Sequence, residues 1–144
     1  MIYLDSTYVV KCYVNERGTP EVLQLTQSQP GRGSCLHGRL EFWTGLHRQV
    51  REGQLTLADA QKVWTRFRQD EGAGLWTFFA VTTELVRQAC QIVEGLAGDV
   101  FIRSADALHL ACAKEQGFAE IYSNDRHLLG AAPHFGLAGK NVIP

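Results

Sequence analysis

Short apolar segments alternate with longer amphipathic segments along the whole chain. The short segments lie at 2–4, 34–36, 77–81, 121–123 and 141–143, and their length and apolar content predict five strands. The longer segments predict helices at about 7–15, 19–29, 37–52, 57–71, 83–97, 103–116 and 125–132. Strands that alternate with helices predict an α/β fold, in which helices cover both faces of a mostly parallel sheet.

Two of these helices, at 37–52 and 57–71, follow one another without a strand between them. Gly53 stands where the C-terminus of a helix favours glycine, and Thr56 with Asp59 has the pattern of a capping box. The pair therefore predicts a helical hairpin that projects from the sheet.

The first helix of this hairpin has one apolar stripe, which predicts its buried side: Leu40, Trp43, Leu46 and Val50. Glu41 lies outside that stripe and shares a face with three polar residues: His37, Thr44 and Arg48. We therefore expect the Glu41 carboxylate to be accessible at the edge of the sheet.

The stretch "IRSADALHLACA", at 102–113, is apolar around nearly its whole circumference, which predicts a buried helix. Asp106 lies inside this helix, with Arg103 and His109 three residues away on either side. A buried carboxylate needs compensation, and Ser104 is a candidate N-cap that would place Asp106 near the positive end of the helix.

Other acidic residues stand where predicted strands end. Asp5 follows the first strand directly, Asp125 lies two residues beyond the fourth, and Glu41 is about one helical turn beyond the second. Functional groups gather at the carboxyl ends of parallel strands. Asp106 follows no recognisable strand, so its place at the same edge is a hypothesis.

Each acid also has a purely structural explanation, as a helix cap, a turn residue or a solvated surface charge. If the four converge, their mutual repulsion requires shared protons or a bound cation. Carboxylate oxygens favour Mg²⁺ or Mn²⁺, and a site of this kind binds phosphate esters and activates water.

Composition narrows the class of protein. A length of 144 residues predicts one domain over 1–144, and a net charge of −1 with a pI near 6.5 allows nucleic-acid binding only through a local basic patch. No segment approaches the ~18 apolar residues of a membrane span, and the N-terminus does not have the pattern of a signal peptide. We therefore expect a cytoplasmic protein without membrane association.

Four cysteines, at positions 12, 35, 90 and 112, form no CxxC pair and no zinc-ligand spacing. Each lies in an apolar segment, which predicts small buried side chains in a reducing compartment, although a disulfide stays possible.

Several stretches together resemble the PIN-domain ribonucleases, and among them the VapC-type toxins of toxin–antitoxin pairs. They are "MIYLDSTYVVKCYV", "SCLHGRLEFWTGLHR", "IRSADALHLACA", "IYSNDRHLLGAA" and the final "VIP". The resemblance covers essentially the whole chain in the same order. It implies a three-layer α/β/α fold, Mg²⁺-dependent cleavage of RNA, homodimerisation and inhibition by a cognate antitoxin.

The resemblance assigns Asp5, Glu41, Asp106 and Asp125 to an acidic metal site, with Ser6, Ser123 and Asn124 in support. On this hypothesis Asp5, Glu41 and Asp106 hold one Mg²⁺, for which Mn²⁺ substitutes. Asp125 helps to hold a second ion, or positions water together with Ser123 and Asn124. Attack by hydroxide would leave a 5′-phosphate and a 3′-hydroxyl, and His109 is a packing or supporting residue, not a base.

Basic residues near this site are candidates for contacts with RNA phosphates: Lys11, Arg103 and Arg126, extended on the hairpin by Lys62, Arg66 and Arg68. The apolar side chains of the hairpin, among them Trp43, Trp64 and Phe67, are more than the sheet is expected to bury. Any that stay exposed would mark an interface.

Two alternatives stay open. A phosphatase of the haloacid-dehalogenase type also places Asp after its first strand, but this chain has Thr7 where a second Asp is expected. The other alternative is non-catalytic: a doubly wound binding module whose acids are caps and surface charges, or a PIN domain that only binds a partner.

Overall fold

The computed structural model describes all residues 1–144, and its elements form three layers, helices–sheet–helices. The strands are β1 (Ile2–Tyr3), β2 (Arg32–Cys35), β3 (Trp76–Phe79), β4 (Glu120–Tyr122) and β5 (Ala138–Lys140). The helices are α1 (Ser6–Lys11), α2 (Thr19–Gln27), α3 (Leu36–Arg51), α4 (Leu57–Gly72), α5 (Thr83–Glu94), α6 (Ser104–Glu115) and α7 (Arg126–Ala131), followed by a 3₁₀ turn at Ala132–Phe135. None of these helices has the length and apolar character needed to cross a membrane.

All strand pairs are parallel, in the order β3-β2-β1-β4-β5. A bridge between Leu4 and Tyr122 joins β1 to β4, and the Asp5 N–H donates to the Tyr122 carbonyl over 3.1 Å. The first strand therefore lies at the centre of the sheet, and Asp5 follows its carboxyl end. The predicted α/β class, with a parallel sheet of five strands, is confirmed.

The two faces of the sheet carry separate hydrophobic cores because neighbouring residues of a strand point to opposite faces. Tyr3 packs on one face with residues of α5, α6 and α7. Ile2 and Leu4 pack on the other face with residues of α1 to α4. This alternation in a single short strand produces the three layers.

The fifth strand is Ala138–Lys140, so the prediction of a strand at 141–143 was wrong. The side chain of Asn141 turns this segment away from the sheet. Its Oδ1 accepts a hydrogen bond from the Tyr8 hydroxyl, at 2.8 Å, and another from the Ile143 N–H, at 2.9 Å. The chain after β5 therefore packs on α1.

The hairpin of α3 and α4 is present, but it does not project freely. Phe42, Leu46 and Phe67 are fully buried against the sheet. Phe67 is thus a core residue and has no exposed surface for an interface. Trp43 and Trp64 are half-buried, and their rings stack with centroids 6.0 Å apart.

The predicted buried stripe of α3 was largely wrong. The buried residues are Gly38, Phe42 and Leu46, and Leu40 is 61% exposed. The stripe is shifted because the side of α3 that carries Gly38 packs against His109 of α6. Glu41 consequently lies beside the buried face, with its side chain 28% exposed.

All four cysteines are free thiols. Cys35 and Cys112 are buried and Cys12 is half-buried, but Cys90 is exposed, which corrects the prediction that each is buried. In α5 Leu85 and Ala89 face the core, and Cys90, the residue after Ala89, faces solvent.

Candidate active site

The four predicted acids line one cleft at the carboxyl edge of the sheet, with a volume of about 720 Å³. Asp5 and Asp125 precede α1 and α7, Asp106 lies in the first turn of α6, and Glu41 lies in α3. Below, this feature is called the acidic cleft. The fold thus brings together side chains from four distant parts of the chain.

Asp5 is the most buried of the four acids, and only 3% of it is exposed. Its carboxylate caps α1 by accepting the Tyr8 N–H, and it also accepts the hydroxyls of Thr7 at 2.7 Å and Ser123 at 2.6 Å. Burial raises the pKa of Asp5, and the positive charge of His109 and these hydrogen bonds only partly oppose the rise.

Ser123 connects two of the acids. Its hydroxyl donates to Asp5 and accepts the Asp125 N–H over 2.8 Å. Asp125 caps α7 by accepting the His127 N–H, also over 2.8 Å. Asn124, between them, is exposed and lines the acidic cleft. The predicted supporting residues therefore lie at the site, and Ser123 is the one that fixes both acids.

Arg103 provides the local counter-charge. Its guanidinium donates to both oxygens of Asp106, at 2.9 and 3.1 Å, and also to Asp125. Asp106 also accepts the main-chain N–H of Arg103, so Arg103 is the donor in every hydrogen bond between them, and the Asp106 carboxylate caps the start of α6. The N-cap is therefore Arg103, and the prediction of Ser104 was wrong by one residue.

The same guanidinium acts on the pKa of Asp125. Partial burial of Asp125 raises this pKa, but hydrogen bonds from Arg103 and from the His127 N–H outweigh that effect and hold it below its ordinary value. The pKa of Arg103 is itself raised by its hydrogen bonds to the two carboxylates. Arg103 therefore contacts two of the four acids of the cleft, and its single positive charge offsets one of their negative charges.

Glu41 is held by a histidine. Its Oε1 lies 2.7 Å from His109 Nε2 and 3.9 Å from His37 Nε2. Burial alone would raise the pKa of Glu41, but the hydrogen bond and positive charge of His109 lower it overall. Ser6, the remaining predicted supporting residue, also lines the cleft.

The donor atoms of the acidic cleft suit a hard divalent cation, because carboxylate and hydroxyl oxygens are the ligands that Mg²⁺ prefers. No group of three or more His, Cys, Asp or Glu side chains is arranged to hold a metal ion in this structure. Each of the four carboxylates accepts a hydrogen bond from a protein donor instead. The residues fit the ion by their chemistry, and Arg103 competes for the oxygens of two of them.

The predicted RNA-contacting cations are only partly at the site. Lys11 lines the cleft but is 6% exposed and donates to Glu16 over 2.6 Å. Arg126 lines a separate depression with Phe101 and His127. Of the three predicted cations only Arg103 reaches the acids.

The cations of the hairpin also lie outside the cleft. Lys62 pairs with Asp59, Arg66 pairs with Asp70, and Arg68 lies over the ring of Trp43. They do not extend the acidic cleft into a basic track.

Two arginines that sequence reasoning did not propose as RNA contacts line the cleft instead. Arg48 and Arg51 follow Glu41 by about two and three turns of α3. Arg48 could have been predicted from the sequence, because its spacing places it on the same helix face as Glu41.

Comparison with known proteins agrees with this architecture. The PIN domain family model matches residues 2–132. The VapC20 toxin of Mycobacterium tuberculosis, a Sarcin-Ricin loop cleaving toxin, has a similar structure, with a TM-score of 0.71 and 20% identity over 91% of this chain and 95% of that chain.

The structure of FitAB bound to an IR36 DNA fragment is also similar, with a TM-score of 0.59 and 16% identity over 98% of this chain and 94% of that chain. Likeness at these identities concerns the fold, and among curated proteins no sequence matches this chain. The family match covers most of the chain, and the fold agrees with it, so this protein belongs to the PIN domain family.

Proposed function

We propose that this protein is a Mg²⁺-dependent endoribonuclease toxin, and that Asp5, Glu41, Asp106 and Asp125 form its metal-binding active site. One observation carries the proposal: four acids separated by up to 120 positions line a single cleft at the carboxyl edge of a parallel sheet in a PIN domain. Helix capping alone would not require these acids to lie in one cleft. Asp5, Asp106 and Asp125 are caps, and yet they also share this cleft with Glu41.

Asp5, Glu41 and Asp106 would hold the ion, and Mn²⁺ would substitute for Mg²⁺. When bound, the ion supplies Lewis acidity that activates water and stabilises the charge developing on the scissile phosphate. Asp125 either contributes to a second ion or orients water with Asn124 and Ser123.

The chain's own groups prepare the site for this chemistry. Thr7, Tyr8 and Ser123 fix the Asp5 carboxylate, so its oxygens need little reorganisation to bind a cation. Arg103 and Arg48 line the cleft and are the cations that we assign to RNA phosphates. His109 is not a general base in this mechanism, because it is buried and its Nε2 is engaged by Glu41.

The proposal includes partners. It adds an antitoxin that inhibits the enzyme, a homodimer and a cytoplasmic location, all of which the resemblance of the sequence to the VapC-type toxins implies. The half-buried Trp43 and exposed Leu36 and Leu40 line a shallow apolar groove outside the acidic cleft, which is the surface we assign to protein contacts.

One observation favours the alternative of a non-catalytic PIN module. Each carboxylate of the cleft already accepts a hydrogen bond from a protein donor, so all four acids have a structural role without a metal. A cleavage experiment separates the two hypotheses.

The test is incubation of purified protein with a mixture of RNAs in Mg²⁺ and in EDTA, with Asp106→Asn and the surface variant Asp99→Asn in parallel. We expect cleavage with Mg²⁺ for the wild type and Asp99→Asn, and none with EDTA or for Asp106→Asn. The new ends should carry a 5′-phosphate and a 3′-hydroxyl. Equal cleavage by Asp106→Asn would reject this active site, and no cleavage of any RNA would favour the binding module.

A further inference from the structure

His109 occupies a central position behind the acidic cleft. It is 2% exposed, and it lies in α6 one turn after Asp106. Its ring connects two other elements: Nε2 lies 2.7 Å from Glu41 in α3, and Nδ1 lies 3.1 Å from the Tyr3 hydroxyl in β1. A buried histidine that spans three elements and ends on a candidate ligand is more than a packing residue.

The chemistry of Tyr3 and Glu41 determines which atoms donate in their hydrogen bonds with His109. An ionised Glu41 carboxylate only accepts hydrogen bonds, so Nε2 carries the hydrogen that it receives. In the neutral ring Nδ1 is then an acceptor and takes the hydrogen of the Tyr3 hydroxyl. If the ring is protonated, Nε2 still donates to Glu41. In both states the ring holds the same carboxylate.

Gly38 makes this contact possible. A Cβ atom at position 38 would lie 2.7 Å from His109 Cε1 and 2.8 Å from Ser34 Oγ, both of which are buried. Helix α3 can approach α6 this closely only because the residue at 38 has no side chain. Glu41, three residues later, lies on nearly the same face and is thereby brought to Nε2.

The other three acids are held by main-chain N–H groups at helix N-termini, and Glu41 is not. It lies in the interior of α3, with a flexible side chain that is 28% exposed. Without the donor from His109, this side chain would sample solvent-facing rotamers and would lose conformational entropy on binding an ion.

We infer that His109 is a positioning residue, which holds the Glu41 carboxylate in the acidic cleft and so strengthens the binding of a divalent ion there. The inference rests on the proposed function, because it assumes that Glu41 binds the ion. Partners of metal ligands of this kind typically change metal affinity by about 10- to 100-fold when they are removed.

The experiment measures Mn²⁺ affinity by electron paramagnetic resonance, without RNA, so its readout is independent of cleavage. The variants are His109→Leu, which removes the donor at similar size, and His109→Gln, which keeps an N–H donor. Each is made in the wild-type and in the Glu41→Gln background, and His47→Leu, an exposed histidine of α3, is the control.

We expect His109→Leu to weaken Mn²⁺ binding about 10-fold or more in the wild-type background and to have no further effect beside Glu41→Gln. His109→Gln should recover most of the affinity, and His47→Leu should not change it. If His109→Leu does not fold, His109→Met, which also lacks the N–H donor, takes its place in the same two-background comparison, and its loss should again be confined to the protein that has Glu41.

A loss of equal size in both backgrounds would show that His109 acts only through packing, and unchanged affinity would also overturn the inference. Either result leaves the proposed function standing if the wild type binds Mn²⁺. Absence of saturable Mn²⁺ binding by the wild type would instead reject the proposed function, together with this inference.

Discussion

Arg103 donates two hydrogen bonds from its guanidinium to the carboxylate of Asp106, and the main-chain N–H of the same arginine donates a third. The candidate metal ligand is therefore paired with a cation from its own helix. Because the arginine side chain is half exposed, it can leave the pair without exposing any apolar core. The acidic cleft thus has a built-in competitor for a divalent ion.

Replacing Arg103 with Ala should tighten Mn²⁺ binding several-fold, because a cation no longer competes for the oxygens of Asp106 and Asp125. The main-chain N–H of residue 103 still donates to the Asp106 carboxylate, so we expect the metal-free protein to lose only roughly 1 kcal/mol of stability. Arg126→Ala, outside the cleft, is the control. Weaker Mn²⁺ binding in Arg103→Ala would contradict the competition.

The variant Asp5→Asn should lose cleavage, and its stability relative to the metal-free wild type should increase from pH 4 to pH 8. The pKa of Asp5 is raised by burial, so the folded protein binds this proton more tightly than the unfolded chain does. Ionised Asp5 therefore costs stability above its folded pKa, and this cost disappears as the pH falls through that value.

Thermal unfolding of both proteins in EDTA, between pH 4 and pH 8, measures this difference. The stability of Asp5→Asn relative to the wild type should be highest at pH 8 and should decrease towards pH 4. A relative stability that is constant or grows as the pH falls would show that Asp5 is not destabilised by its burial.

Gly38 and Gly45 lie in the same helix and provide a matched pair. Gly38→Ala should destabilise the protein by about 1–3 kcal/mol, because the new methyl group meets the buried ring of His109. Gly45 has no atom within 4 Å of an added Cβ, so Gly45→Ala should stabilise by about 0.5–1 kcal/mol. Urea unfolding measures both, and equal effects of the two substitutions would contradict the close approach of α3 to α6.

Arg48 should contact RNA and not the metal. Its replacement by Ala should lower kcat/KM for RNA cleavage and reduce the salt dependence of RNA binding by about one phosphate contact, while Mn²⁺ affinity stays unchanged. Lys62→Ala is the control, since Lys62 lies on α4 outside the cleft. If both variants cleave RNA like the wild type over a range of salt concentrations, Arg48 is not part of the RNA site.

The sequence was most informative where one local rule decides the structure. Asp5 and Asp125 follow strands that the apolar pattern locates, and parallel strands bring their carboxyl ends to one edge. The stripe of α3 was mispredicted because hydrophobicity assigns Leu40 to the core, whereas close packing selects Gly38. Hydrophobic periodicity does not identify a residue that is buried because it is small.

The contacts of the site depend on tertiary structure and could not be predicted from spacing. His109 and Glu41 are 68 positions apart, and Ser123 and Asp5 are 118 positions apart. Arg103 stands three residues before Asp106, but its place in the sequence does not show that the guanidinium contacts both Asp106 and Asp125. Lys11 was proposed as an RNA contact, and only the fold shows that Glu16 neutralises it.

The most direct test of the metal site is a crystal structure of the protein soaked in Mn²⁺, with anomalous diffraction recorded to locate the ion. We predict one strong peak in the acidic cleft, in contact with carboxylate oxygens of Asp5 and Asp106, with the Arg103 guanidinium moved off Asp106. A cleft with no peak at saturating Mn²⁺, and with Arg103 still bound to Asp106 and Asp125, would contradict the account.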